Sequence, residues 1–320
     1  MMKRNLERFM MTSNRRDFLK MSGLAAARAF AASSPRYRVG CTTNTIGGWE
    51  KDVFLSFREA REVGFHRVET FIHYFIQLGL YDKPKELQKK IDEIGVSFVT
   101  ISNGAPMETH FEDPTRHNQI YEDHLRLVRF NKNFGCTHLK INMGRRRPEG
   151  TTDEDLKHMA TAAEELGRRI REEGVRFAIH AHMWSQFENR HEIEFLMQNT
   201  DPKNVGFVLD TGHVTMAGLD PVDLARKLGH RIVEFHLKDT KPENRGGAKT
   251  RLERMDGMKD PCFFPLGNGG VDFPALKAHL DKIEWSGFLT VELDTSPWRP
   301  PKESARMSRE YIEKTLKIPV

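Results

Sequence analysis

Residues 175–182 read VRFAIHAH. Strand side chains alternate between two faces, so Phe177 and Ile179 take one face while Ala178, His180 and His182 take the other. Four further runs repeat the pattern. CTHLKIN (136–142) opposes Leu139 and Ile141 to His138, Lys140 and Asn142, and VGFVLD (205–210) opposes Phe207 and Leu209 to Asp210. RIVEFHLK (231–238) opposes Phe235 and Leu237 to Glu234, His236 and Lys238; GFLTVELD (287–294) opposes Leu289, Val291 and Leu293 to Thr290, Glu292 and Asp294. Five strands therefore aim ionisable side chains at one space, near their C-terminal ends. Unpartnered buried charges cost several kcal/mol each, so a plain packed core gives no reason for the arrangement, whereas a binding or catalytic site does.

Outward from these runs, three more (37–43, 65–72 and 96–102) bring the strands to eight. Helical patterns lie between them near 51–63, 84–94, 114–134, 152–173, 189–198, 220–229, 272–282 and 301–315. Asp113-Pro114, Thr151-Thr152-Asp153-Glu154 and Asp220-Pro221 are helix-start signals. Glycines 64, 95, 135, 174 and 287 punctuate the passage into the next strand. Eight strand–helix units in about 280 residues have the count and length of a single (β/α)8 TIM barrel, an α/β fold. An open doubly wound sheet would carry GxGxxG after its first strand, and the chain has none there. The one long connection, 239–271, is expected to be a lid.

The chain has 320 residues and a formal charge of +5. Seven basic side chains (Lys3, Arg4, Arg8, Arg15, Arg16, Lys20, Arg28) and two acidic ones (Glu7, Asp17) fall within residues 1–31, so this leader carries the whole excess. The electroneutral remainder has no global field to gather a phosphate backbone, and no nucleic-acid partner is expected. Mean hydropathy is −0.59, and no stretch approaches the roughly 18 apolar residues a membrane span needs, so stable membrane insertion is not expected. Cys41, Cys136 and Cys262 are too few and too scattered for a disulfide framework and read as isolated thiols. In the leader, TSNRRDFLK (12–20) precedes the apolar MSGLAAARAFAA (21–32), with Ala29-Phe30-Ala31 at cleavage-like spacing. It resembles a twin-arginine export signal. That resemblance implies a signal peptide over 1–31, a barrel over 32–320, and a periplasmic or other extracytoplasmic location. Export of a folded protein would let a metal be loaded in the cytoplasm, away from competing copper and zinc.

The order IHAH (179–182), LDTGH (209–213), FHLKD (235–239) and TVELD (290–294) resembles the xylose isomerase-like barrel superfamily of sugar isomerases and epimerases. FFPLGNGGVDF (263–273) is similar to the inosose dehydratase branch and its twin-arginine-exported relatives. The resemblance covers nearly all of 37–315. It implies one divalent ion held by a ligand from each of strands five to eight, often Glu, Asp, His and Glu. The last three fall on Asp210, His236 and Glu292. Strand five departs from the pattern, offering His180 and His182; His180 is the expected ligand, with His182 and Glu188 as alternatives. Manganese is the first expectation, with Mg2+, Co2+ or Zn2+ as alternatives.

Such an ion, bound to adjacent carbonyl and hydroxyl oxygens of a sugar, stabilises the enediolate formed when the α-proton leaves. Reprotonation gives an isomer or epimer; expulsion of a β-substituent gives dehydration or glycoside cleavage. The expected base is His182 or Glu292. Lys238 and Lys140 are expected to hold a substrate oxygen or the developing oxyanion, or else to pair with Glu234 or Glu69. His213 resembles a substrate-contacting histidine of the family, and Glu69 is placed with it. Trp184 and Trp298, after strands five and eight, are candidate faces for a sugar ring. The expected activity is isomerase or epimerase action on a non-phosphorylated sugar or keto-sugar, with an inosose dehydratase-like or keto-glycoside lyase as the alternative. A carbohydrate-binding barrel without catalysis is a further alternative, and an abasic-site endonuclease would need more early-strand histidines than His73 and His138. A homo-oligomer is compatible with all of these.

Overall fold

The computed structural model of the protein describes residues 36–43, 52–105, 107–250, 262–294, 296 and 299–320. The leader and Trp298 lie outside the described residues. Along the chain run β1 (Tyr37–Thr42), α1 (Val53–Val63), β2 (Arg67–Phe71), α2 (Ile72–Gln77), α3 (Pro84–Ile94), β3 (Ser97–Ser102) and α4 (His117–Lys132). Next come β4 (His138–Ile141), α5 (Asp153–Glu172), β5 (Arg176–His180), α6 (Arg190–Gln198), β6 (Gly206–Asp210), α7 (Thr211–Met216) and α8 (Pro221–Leu228). The last elements are β7 (Ile232–Leu237), β8 (Asp239–Thr240), β9 (Phe263–Phe264), α9 (Phe273–Lys282), β10 (Gly287–Val291) and α10 (Pro301–Lys314). Eight parallel strands in the order β3-β2-β1-β10-β7-β6-β5-β4 form a nearly closed barrel surrounded by helices, the expected single (β/α)8 fold.

Local chemistry sets the boundaries. Asp52 caps α1, and Thr152 with Asp155 forms a reciprocal capping box on α5. Gly64 and Gly95 end α1 and α3 at φ 109° and 81°, where a side chain would be strained. Leu139, Ile141, Phe177, Ile179, Phe207, Leu209, Phe235, Leu237, Leu289 and Val291 are all buried in the main apolar cluster, which fixes the face of each strand. The opposite face points inward.

β3 and β4 meet without a backbone ladder. The hydroxyls of Thr100 and Ser102 donate to the carbonyls of His138 and Lys140, each at 3.0 Å. Asn142 donates its backbone N–H to Asn103 Oδ1 (2.8 Å), and Asn103 Nδ2 donates to the Asn142 carbonyl (3.0 Å). From α4, the fully buried Asn131 accepts the Ile101 N–H and donates to the Ile101 carbonyl, at 2.8 and 2.9 Å. Side chains thus satisfy edge groups that would otherwise be buried unpaired. In β7 the register slips, Phe207 pairing with Ile232 but Val208 with Glu234. The extra residue, Val233, packs with Ala178 and Val208, an apolar plug where simple alternation would turn it outward.

The two described ends of the long connection, 239–250 and 262–271, are drawn together around Asp239. β8 and β9 pair antiparallel, and the Asp239 carboxylate accepts N–H bonds from Thr240, Gly267, Gly269 and Val271 at 2.9, 2.9, 2.9 and 3.0 Å. Burial pushes this carboxyl up in spite of those bonds. A Cβ on Gly269 would stand 1.7 Å from the Thr240 carbonyl oxygen, so the glycines of LGNGG serve this close wrap. All three cysteines are buried free thiols. No helix among the described residues is long and apolar enough to cross a membrane.

Candidate metal centre and cleft

The ends of β5, β6, β7 and β10 bring His180, Asp210, His236 and Glu292 together, each offering a ligand atom within 4.8 Å of the others. The sequence places these residues there by different local devices. Asp210 caps α7, Oδ1 accepting the His213 N–H at 2.8 Å, which leaves Oδ2 facing His180 Nε2 at 3.5 Å and His236 Nδ1 at 3.7 Å. Gly212 stands where a Cβ would meet the Lys238 stem at 2.6 Å, so the DTGH turn requires glycine to pass over that lysine.

Two chains of hydrogen bonds orient the imidazoles. Asn142 donates Nδ2 to Glu108 Oε1 (3.0 Å) and turns Oδ1 to His180 Nδ1 (2.8 Å). Nδ1 of His180 therefore carries the proton, and Nε2 presents a lone pair to the cluster. Likewise Glu69 Oε2 accepts from His236 Nε2 at 3.1 Å, directing Nδ1 toward Glu292 Oε2 (2.8 Å) and Asp210. This carboxylate–histidine arrangement is the one that commonly supports a metal-binding imidazole.

His180 Nε2 is buried with no hydrogen-bond partner, and Asp210 Oδ2 is buried without a well-formed hydrogen bond although the Lys238 ammonium stands 3.2 Å away. Burial, helped by Lys140, pushes His180 down to about 3 and so keeps it neutral. Burial opposes charge on Asp210 and Glu292, but Lys238 outweighs it and holds both well below the carboxylate range. Burial likewise opposes charge on His236, yet Glu69 and Glu292 hold it well above its ordinary value. Glu69, Asp210, Glu234, Glu292 and Asp294 bring carboxylates to the interior against the ammoniums of Lys140 and Lys238. That negative surplus and the unpartnered His180 Nε2 fit a divalent cation with two nitrogen and two oxygen ligands.

A second group, His182, His213 and Asp294, lies alongside. Lys238 already serves it, with Nζ 2.8 Å from His213 Nε2 and 2.9 Å from Asp294 Oδ2. His182 Nδ1 donates to the Met183 carbonyl at 2.6 Å, leaving Nε2 as its basic atom.

Above the metal cluster opens a cleft of about 370 Å3 whose lining includes Phe71, His73, Glu108, Lys140, Asn142, His180, His182 and Glu292. Several expected residues stand elsewhere. Glu69 is fully buried beneath it, 2.8 Å from Lys140 Nζ; it positions Lys140 and His236 rather than meeting substrate. Lys238 is also fully buried, its ammonium 3.2 Å from Asp210 Oδ2 and 3.0 Å from Glu292 Oε2, and it stands outside the cleft lining. His213 lies behind His182, ring centroids 3.7 Å apart, outside the cleft lining. Trp184 packs on the Met183, Met216 and Phe263 cluster in a left-handed turn, φ 64°. Glu188 accepts the Trp184 N–H at 2.6 Å and belongs to that turn rather than to the metal cluster. Glu234 pairs with His138 (2.7 Å) and Thr290, not with Lys238. Arg146 and Arg147 pair with Glu192 and Asp155. No described part of 239–271 lines the cleft, so the lid expectation is not met by 239–250 or 262–271. Glu108 escaped the sequence reading because it sits in a loop, where no strand alternation marks direction, and His73, in the short α2, entered it only as an early histidine for the endonuclease alternative.

A barrel that gathers imidazoles and carboxylates at its C-terminal strand ends, beneath a small-molecule cleft, defines a class of TIM barrels with a metal-type centre. The profile of the xylose isomerase-like TIM barrel family matches residues 57–315, and the chain belongs to that family. Inosose dehydratase of Lacticaseibacillus casei is 32% identical over 170 residues, 52% of this chain and 57% of that protein; the match spans little more than half of that relative. D-Psicose 3-epimerase from Clostridium cellulolyticum H10, solved with D-tagatose, superposes with a TM-score of 0.67 at 16% identity, over 88% of this chain and 99% of that one. The IOLI protein, solved with a zinc atom, gives a TM-score of 0.65 at 17% identity over the same 88% and 99%. At these identities the structural likeness is one of fold.

Proposed function

We propose that the protein is a divalent-metal-dependent isomerase or epimerase of a non-phosphorylated sugar or keto-sugar. The observation that carries the reading is the unpartnered His180 Nε2 facing Asp210, His236 and Glu292 in the cluster beneath the cleft. His180, Asp210, His236 and Glu292 would hold the ion, whose chemistry is to polarise adjacent carbonyl and hydroxyl oxygens and so acidify the α-proton. Two carboxylates favour Mn2+ and two imidazoles draw the site toward Zn2+ or Co2+; metal analysis of the purified protein decides. His182 Nε2 takes the α-proton, with Asp294 beside it to offset the imidazolium charge, and Lys140 holds a substrate oxygen. Among the described residues Lys140 is the sole Lys or Arg in the cleft lining, and it is already paired with Glu69, which favours substrates without phosphate.

The dehydratase or keto-glycoside lyase reading is the second, favoured by the sequence likeness to inosose dehydratases. Incubation with Mn2+ and keto-sugars in D2O separates the two. Solvent deuterium in a recovered isomer supports the first, and loss of water or aglycone supports the second. Binding without exchange at any α-carbon overturns both in favour of a carbohydrate-binding barrel. The leader's twin-arginine pattern supports an extracytoplasmic location; mature protein beginning near Ala32 in a periplasmic fraction is the expected finding.

A further inference from the structure

We propose that Glu108 is the second proton-transfer residue of this site, working with His182 from the lining of the same cleft. The inference rests on the enolising reaction above. Either form of that reaction needs one group to take a proton from carbon and another to deliver one, to the opposite face of the carbon or to a departing oxygen. Strand five, which could supply a carboxylate beside the metal cluster, instead supplies His180, oriented as a neutral ligand. Among the described residues of the cleft lining, the carboxylates are Glu108 and Glu292. Glu292 is committed to His236 and Lys238, at 2.8 and 3.0 Å. Among the described residues Glu108 is held through Oε1, which accepts from Asn142 Nδ2.

The loop geometry fixes this placement. Gly144, at φ 89°, lets the chain after β4 pass so close to the Glu108 backbone that a Cβ there would lie 2.2 Å from the Glu108 carbonyl oxygen. Glu108 is thus fastened to the β4 end through its backbone and through Asn142, and β4 is the neighbour of β5, after which His182 stands. In elimination, the C–H electron pair becomes the new C=C bond as the proton moves to His182 Nε2. The β C–O bond breaks with its pair on oxygen, and that oxygen takes the proton from the Glu108 carboxyl. In epimerisation the enediolate carbon takes the Glu108 proton instead. Both residues then return to their starting protonation by exchange with water.

The test uses the metal-loaded full chain, Glu108→Gln, and Glu108→Ala with added formate. Glutamine retains an oxygen to accept from Asn142, so Mn2+ affinity by chelator competition is expected to stay within threefold, as is α-proton exchange into D2O. Net turnover is expected to fall about 100-fold or more, and formate is expected to restore part of the turnover of Glu108→Ala. Turnover of Glu108→Gln within threefold of the parent overturns the proposal alone. So does a loss that saturating Mn2+ repairs, because that marks Glu108 as a support for His180 only. A parent protein inactive on every sugar tested sinks the underlying reaction and this proposal together.

Discussion

His180, Asp210, His236 and Glu292 are adjacent in space, but what makes them a candidate centre is the next layer of contacts. Glu69 binds both His236 and the cleft lysine Lys140, and Lys140 with His236 outweighs burial to hold the Glu69 carboxyl down to about 2. Replacing Glu69 with Gln keeps an acceptor for His236 but removes the charge. Metal affinity, measured by chelator competition, should fall about 10- to 100-fold. His236 carries a proton in the metal-free protein because Glu69 and Glu292 hold its pKa well above the ordinary value. An ion that takes its Nδ1 must expel that proton. Calorimetric titration in buffers of different ionisation enthalpy should therefore show proton release near pH 7, and affinity should weaken as pH falls; buffer-independent heats would contradict the ligand assignment.

Among the elements, the β3–β4 seam is where the barrel depends on side chains. Asn131 supplies both partners of the Ile101 backbone, and removing it leaves two buried polar groups unsatisfied, each worth about 1–3 kcal/mol. Asn131→Ala should lower stability by roughly 2–5 kcal/mol in urea unfolding, while substitutions at exposed α4 positions should stay within about 0.5 kcal/mol. The strand and long-helix pattern was legible because apolar spacing and caps are local signals; α3 spans Pro84–Ile94, the range its periodicity predicts. The short α2 and α7 were not legible. Both begin at strand ends, and α7 forms because Asp210 caps it and Gly212 clears Lys238, conditions that exist only once β6 and β7 lie side by side.

At the scale of the whole molecule, buried neutral imidazoles set the acid limit. Burial holds His124 down to about 4 and His180 down to about 3, with Lys140 adding to the effect at His180. Both would titrate near 6.5 in the unfolded chain, so the unfolded state binds more protons below that value. Stability contributed by their neutrality is present above pH 6.5 and is lost as pH falls toward 4 and 3. The urea midpoint of the metal-free protein should thus drop between pH 7 and pH 5. A divalent ion that binds only the folded state should raise stability by about 2.7 kcal/mol at a hundredfold excess over Kd, read as a rise in Tm that EDTA reverses. No rise with Mn2+, Zn2+, Co2+ or Mg2+ would count against the centre. By itself the sequence determined the eight strand–helix units, the face each strand presents, and the gathering of ionisable residues at one end, because alternation, helical period and capping act over a few residues. Tertiary structure alone decided that His180 rather than His182 or Glu188 stands beside Asp210, His236 and Glu292, that Lys238, Glu69 and His213 stand outside the cleft lining, and that Glu108 enters it. Those outcomes depend on contacts between residues far apart in the chain, where burial and shared hydrogen bonds, not spacing, assign each side chain its place.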